Sequence, residues 1–342
     1  MQELNGTALE PDFRDRKTRL TVFGILQIIL GVLAGMMVPF VILGMIATSV
    51  SGHETPEGVG LTSMIPAIML YTMAAVWFIS MGIGSLKTRR WARAIILISS
   101  WYWLVCGIGG FVFMLTMLPN MSEQMAAANN NNQMPKAAII VIQCIMVGFM
   151  AVFYIIIPGL LVLFYRGRDV KATCEYYDPQ PRWTDNCPLP VLGAAFACAL
   201  WAFCMPMTGA GNWTIPFFGT VLSGITGAIA AVVLCLILVW TAWGLYRLDS
   251  KAWWAALLIF SGWAISAFIT FSIVSTETYY EKAGMTEQQM EQIRRFDFLS
   301  NPSMKWAMLL WVVFALAYLF WIRRFFVHPS NPLSVESADQ LV

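Results

Sequence analysis

Gly82-Ile83-Gly84-Ser85-Leu86-Lys87-Thr88-Arg89-Arg90-Trp91-Ala92-Arg93-Ala94 is a short basic break between two long apolar runs, 61–86 before it and 92–118 after it. Each run exceeds the roughly 20 residues that a helix rising about 1.5 Å per residue needs to cross a hydrocarbon core. Only helices and closed barrels satisfy their own backbone groups in lipid. The period-2 alternation of a barrel strand is not apparent in these runs, so the stretch reads as the turn of a membrane-spanning helical hairpin. The whole chain agrees: 58% of the 342 residues are hydrophobic and 12% charged, about half the charged share of a soluble domain.

Working outward, charged flanks divide the sequence into eight expected spans near 20–49, 61–86, 92–118, 137–165, 189–207, 217–246, 253–274 and 306–326. The expected fold class is therefore an all-α integral membrane protein of about eight transmembrane helices. The first apolar run is long and lacks a small-residue cleavage pattern, so it reads as a retained span. Lys and Arg set the expected orientation. With the N-terminus in the cytoplasm, 16 of the 21 basic residues lie inside, leaving only Lys136, Lys282, Arg294, Arg295 and Lys305 outside. This places both termini in the cytoplasm of a plasma or inner membrane.

The basic break has an echo. Gly244-Leu245-Tyr246-Arg247-Leu248-Asp249-Ser250-Lys251-Ala252-Trp253-Trp254-Ala255-Ala256 repeats Gly, Leu, Trp and Ala at an offset of 162, which also pairs Ser99 and Trp101 with Ser261 and Trp263. Weaker echoes join Leu20 and Gly24 to Leu189 and Gly193, and Ile65-Pro66 to Ile215-Pro216. The order is the same in both halves, which points to duplication. An even number of spans per unit makes the copies parallel. The expected organisation is a cytoplasmic tail (1–19), a first four-helix repeat (20–166), a cytoplasmic linker (167–188), a second four-helix repeat (189–327) and a cytoplasmic tail (328–342).

Chemistry is sparse. Buried charges mark proton relays and ion paths in membranes, and the spans carry essentially none; Arg93 sits near a span end, where it can snorkel. The two histidines, His53 and His328, fall on opposite expected sides, so they cannot share a haem or zinc. No nucleophile elbow, P-loop or His-Glu-x-x-His motif is present. The expectation is a non-enzyme with no catalytic residue, metal or cofactor. A net charge of +2 gives no case for nucleic acid. Methionines cluster at Met114, Met117, Met121 and Met125, but Pro119 interrupts their helical spacing, and packing is the expected role.

Two regions remain as ligand or partner candidates. Trp101, Trp103 and Trp263 with Ser99, Ser100, Ser261 and Gln143 combine aromatic bodies and polar tips at mid-depth, the make-up of a pocket for a neutral or lipidic ligand between the halves. Small residues, including Gly31, Gly35, Gly107, Gly109, Gly110, Gly262, Ser266 and Thr270, read as helix-packing seams. In the linker, Cys174, Trp183 and Cys187 lie in a Pro-stiffened stretch suited to a cytoplasmic protein partner. The leading expectation is a partner- or lipid-binding membrane protein; the alternative is an uncoupled permease for a small neutral or amphipathic solute, its path between the repeats.

Overall fold

The computed structural model describes residues 13–50, 61–128, 136–287, 289–291 and 302–327. His53, His328, Arg294, Arg295 and the polar run 129–132 fall outside these residues. Among the described residues, eight helices are long and apolar enough to cross a membrane: Lys17–Gly44, Ile65–Leu86, Arg90–Leu118, Ile140–Tyr165, Leu189–Gly211, Gly224–Tyr246, Ser250–Ile273 and Leu309–Phe326. Their outward faces carry large apolar side chains such as Leu163, Ile225, Leu258 and Ile273, exposed by 72%, 80%, 67% and 71%. Surfaces of this kind are stable against lipid tails rather than water. The chain is thus a multi-pass, all-α membrane protein.

In the first half, α1 (Lys17–Val50) and α2 (Leu61–Leu86) lie closely paired. Glycine makes the approach possible. A Cβ on Gly82 would stand 2.7 Å from the Gly24 carbonyl, and one on Gly31 would meet Ile79 at 2.7 Å. Next come α3 (Arg90–Ala128) and a fourth span built from α4 (Lys136–Ala151), a π turn (Val152–Ile156) and α5 (Ile157–Tyr165). Pro158 explains the π turn. It lacks the N–H that Tyr154 would bond in an α-helix, so Ile157 bonds instead to Val152. The freed Tyr154 carbonyl lies against Gly107, where any Cβ would collide with it.

The linker forms α6 (Arg168–Tyr177) and a 3-10 turn (Trp183–Asn186). The second half holds α7 (Leu189–Cys204), a 3-10 turn (Met205–Gly211), α8 (Gly224–Tyr246), α9 (Ser250–Ile273), α10 (Thr276–Lys282), α11 (Pro302–Ile322) and α12 (Arg324–Val327). Buried apolar side chains gather in two clusters, one around Leu20, Ile96, Leu161 and Tyr165, the other around Val191, Leu238, Leu245 and Trp253.

Span six differs from its expected course. The stretch 217–223 is not helical: β1 (Ile215–Phe217) and β2 (Thr220–Leu222) form an antiparallel hairpin, and the helix begins at Gly224. Phe218 and Gly219 take positive φ at the tip, as a tight two-residue turn requires. Ser266 and Thr270, expected as a helix seam, instead hold this tip: the Phe218 and Gly219 N–H groups donate to their hydroxyls at 3.0 Å each. Gly110 and Gly262 also depart from the seam reading, with open space where a Cβ would stand. Pro119 does not end α3, which continues to Ala128.

The turns after α2 and α8 share one geometry. Arg89 N–H donates to Gly84 and Thr88 N–H to Ser85; Asp249 N–H donates to Gly244 and Leu248 N–H to Leu245. Both are Schellman ends, with Thr88 (φ 50) and Leu248 (φ 59) in the left-handed position usually given to glycine. In both turns the glycine presses on a fully buried alanine eight residues on, Gly84 on Ala92 and Gly244 on Ala252. From the next residue a side-chain N–H crosses to the fourth span: Arg93 Nε to the Tyr165 carbonyl at 3.1 Å, Trp253 Nε1 to the Leu319 carbonyl at 2.8 Å. Backbone geometry therefore recurs at an offset of 160, Gly84 to Gly244, where the matching letters suggested 162. Identical letters near a turn do not fix register; the left-handed residue and the glycine contact do.

These contacts predict opposite signs for two glycine substitutions. Gly84→Val, whose branches would enter Ala92, should cost about 2–3 kcal/mol. Gly262→Ala, in open space mid-helix, should gain about 0.5–1 kcal/mol. Thermal unfolding in detergent distinguishes them; equal shifts would refute the packing derived above.

Candidate functional site

Gln27 is the sole carboxamide in the first apolar run, and the structure buries it to 3% exposure. It sits on α1 at the wall of a cavity of about 160 Å³, facing Trp77, Phe78 and Met81 of α2, Ile96, Ser99, Ser100 and Trp103 of α3, and Leu161 of α5. All the lining comes from the first half. The aromatic walls are fixed by edge contacts, Trp103 to Phe78 at 5.8 Å and Trp103 to Phe153 of the π turn at 5.4 Å.

Polar groups enter the cavity in specific states. Ser99 donates to the Ile95 carbonyl at 2.8 Å. Beside the lining, Tyr165 pairs with Ser85 at 2.7 Å while Ser85 donates to the Leu20 carbonyl at 3.0 Å. The carboxamide oxygen Oε1 of Gln27 has no partner among the described residues. An orphaned acceptor in a low-dielectric site costs about 1–3 kcal/mol, so it is a feature the fold must offset elsewhere.

The expected pocket residues are only partly brought together. Ser99, Ser100 and Trp103 share the cavity. Trp101 faces outward at 38% exposure. Trp263 lies in the second half, edge-on to Trp201 at 5.9 Å, and Ser261 donates to Leu257 at 2.6 Å. Gln143 is on α4, its Nε2 buried without a partner, outside the cavity lining. The boundary between the halves is packed: Trp77 contacts Phe196 at 5.0 Å and the Tyr102 hydroxyl donates to the Gly193 carbonyl at 3.0 Å. Gln27 is not ionisable and so lies outside the usual markers of a membrane site, although one carboxamide in an apolar run is itself a signal.

The linker is welded to the ends of the helices. Asp178 is buried to 2% and accepts from Arg182 at 2.6 Å, Arg89 at 3.2 Å and the Arg90 N–H at 3.3 Å. Hydrogen bonding from Arg182, the larger cause, and from the Arg90 backbone holds its carboxyl below the usual range. Arg16 pairs with Asp169 at 2.7 Å and Arg90 with Asp185 at 3.5 Å. Cys174 and Cys187 point inward, buried to 2% and 3%. Burial pushes their thiols up to about 11 and about 12, with Arg93 pulling Cys174 partly back, so both stay protonated at neutral pH. Trp183 alone of the three is exposed, at 49%, and it packs on Tyr246 at 6.3 Å. Among the described residues no three His, Cys, Asp or Glu side chains gather as a metal site.

No family model matches this chain, and neither a curated protein nor a solved structure does.

Asp178→Asn should cost about 2–4 kcal/mol, because two guanidinium groups lose their counter-charge. The pH dependence has a definite sign. A depressed carboxyl contributes in full above its unfolded value of about 3.9 and loses that contribution as pH falls through the lower folded value. Wild-type melting temperature should therefore fall in acid below about pH 4, while the Asn variant should show a flatter profile there.

Proposed function

We propose that this chain is a non-enzymatic membrane protein, built from two parallel four-helix repeats, that binds a small neutral or lipidic ligand within its first unit. The observation that carries the reading is the Gln27 cavity: aromatic walls from Trp77, Phe78 and Trp103 with the polar residues Gln27, Ser99 and Ser100 in the lining, the make-up of a small-molecule site. Its volume is close to that of an engineered apolar cavity of about 150 Å³ that takes up benzene. A permease path between the repeats draws less support, because Trp77, Phe196, Tyr102 and Gly193 pack that boundary.

Duplication is supported by the paired Schellman turns, the paired glycine–alanine contacts and the paired bonds from positions 93 and 253 to the fourth span. In the register of those turns Trp103 corresponds to Trp263, while Ser99 and Ser100 correspond to Ile259 and Phe260. Phe260 packs on Trp201 at 5.4 Å. One half thus carries aromatic bulk where the other carries hydroxyls around a cavity. The two halves share a frame and differ at the site.

Both termini are assigned to the cytoplasm in this reading. The support is charge: Arg16, Arg89, Arg90, Arg182 and their acidic partners gather at one end of the bundle. A fluorescent reporter that matures only in the cytoplasm, fused after Val327, should light up, and a periplasmic phosphatase at the same point should stay inactive. The reverse pattern would invert the assignment.

The ligand reading is tested by Ser100→Phe, which puts the second half's side chain into the first. Protein purified in mild detergent, then denatured and extracted, should yield a small molecule at near one per chain by mass spectrometry. The variant should fold and yield at least about tenfold less, as overpacking closes the site. Equal extracts from both would remove the cavity as the site.

A further inference from the structure

Between the end of span five at Gly211 and the start of span six at Gly224 the chain does not stay at the membrane edge. The Gly224 N–H donates to the Asn212 carbonyl at 2.8 Å and closes the base of a loop. Its tip bonds to α9, the seventh span, and depth can be read along that helix. The 24 residues of α9 rise about 36 Å, about 3 Å past each face of a hydrocarbon core of about 30 Å. The Gly219 N–H bonds to Thr270 and the Phe218 N–H to Ser266, three and seven residues short of the helix end at Ile273. Those residues lie about 5 Å and about 10 Å in from that end, inside the edge of the core.

The hairpin backbone is finished for such a place. Phe217 and Thr220 flank the two-residue turn, so the next pair, Pro216 and Val221, point their backbone groups away from the partner strand. Pro216 has no N–H to satisfy, and its carbonyl accepts from the Ser266 hydroxyl at 3.0 Å. The Val221 carbonyl accepts from Lys282 Nζ at 3.1 Å, and the Phe217 carbonyl from the Thr220 hydroxyl at 2.9 Å. On a solvated loop water would serve these groups; side chains serve them here, as hydrocarbon requires. Side-chain polarity follows the same gradient. Near the base, Asn212 and Thr214 donate to the Lys282 carbonyl at 3.0 Å and 3.3 Å. At the tip, Phe217 and Phe218 are 50% and 53% exposed, edge-on to each other at 5.4 Å.

We infer that residues 215–222 form a re-entrant hairpin whose Phe217–Phe218 tip is seated among the acyl chains of the leaflet remote from the linker. Lipid is the occupant because Phe268, between the two anchoring hydroxyls on α9, is itself 61% exposed at that depth. The inference is independent of the cavity in the first half and of which side is cytoplasmic.

The test uses the full chain in phosphatidylcholine nanodiscs and a charged maleimide, with wild type giving the background from the native thiols. Glu281→Cys, on the exposed face of α10, should label at least about tenfold faster than Phe217→Cys or Phe218→Cys, because a thiol in apolar surroundings does not ionise. Equal rates would put the tip in water and overturn the inference. A second measurement keeps an aromatic side chain in place: Phe218 replaced by p-benzoylphenylalanine and illuminated in native membranes. The chain should gain one phospholipid, and ester hydrolysis should leave a fatty acid attached. Attachment to a headgroup alone, or to another protein, would equally overturn the inference. Should the cysteine variants fail to fold, the crosslink decides by itself.

Discussion

A backbone amide in hydrocarbon has no water to bond, and several exceptions to helical pairing among the described residues are accommodated by particular neighbours. Pro158 withholds the proton that Tyr154 would have accepted, and a π turn with Gly107 against the freed carbonyl absorbs the defect. The hairpin before α8 leaves two N–H groups at its tip, and Ser266 and Thr270 receive them. Trp253 and Arg93 reach across to carbonyls at the end of the fourth span of each half. Against this background the unpaired oxygen of Gln27 stands out.

Close approach is the second constraint, and it follows from the first. Lipid tails are as apolar as leucine, so burying side chains between helices gains little unless the helices pack tightly. Gly24, Gly31 and Gly82 permit that for α1 and α2, and Gly84 and Gly244 for the two turns. The same need accounts for Thr88 and Leu248 in left-handed conformations. A glycine there would ease the backbone, but Thr88 is buried and Leu248 packs against the second core, and both side chains contribute packing that glycine lacks.

At one end of the bundle the constraint changes to charge. Asp178 draws together the α2–α3 turn and the linker, and Arg16 with Asp169 ties the start of α1 to α6. Residues 166–188 are thus fixed to the first half by ion pairs, and the Tyr246 hydroxyl, donating to the Trp183 carbonyl at 3.0 Å, joins them to the second. Their two thiols face inward; the aromatic rings Tyr176 and Trp183 face out.

The eight spans were legible because the length and apolarity of a membrane helix are set residue by residue by the bilayer, without reference to neighbours. The basic break at 87–93 was legible for the same local reason. Ser99, Ser100 and Trp103 were recognisable as site material from their chemistry alone. Their partners were not, since Gln27, Trp77 and Leu161 lie far from them in sequence and only the packing of α1, α2 and α5 on α3 brings them together. The hairpin at 215–222 was hidden as well. Its apolar letters suit a helix, and it took Ser266 and Thr270, some 50 residues on, to stabilise another conformation.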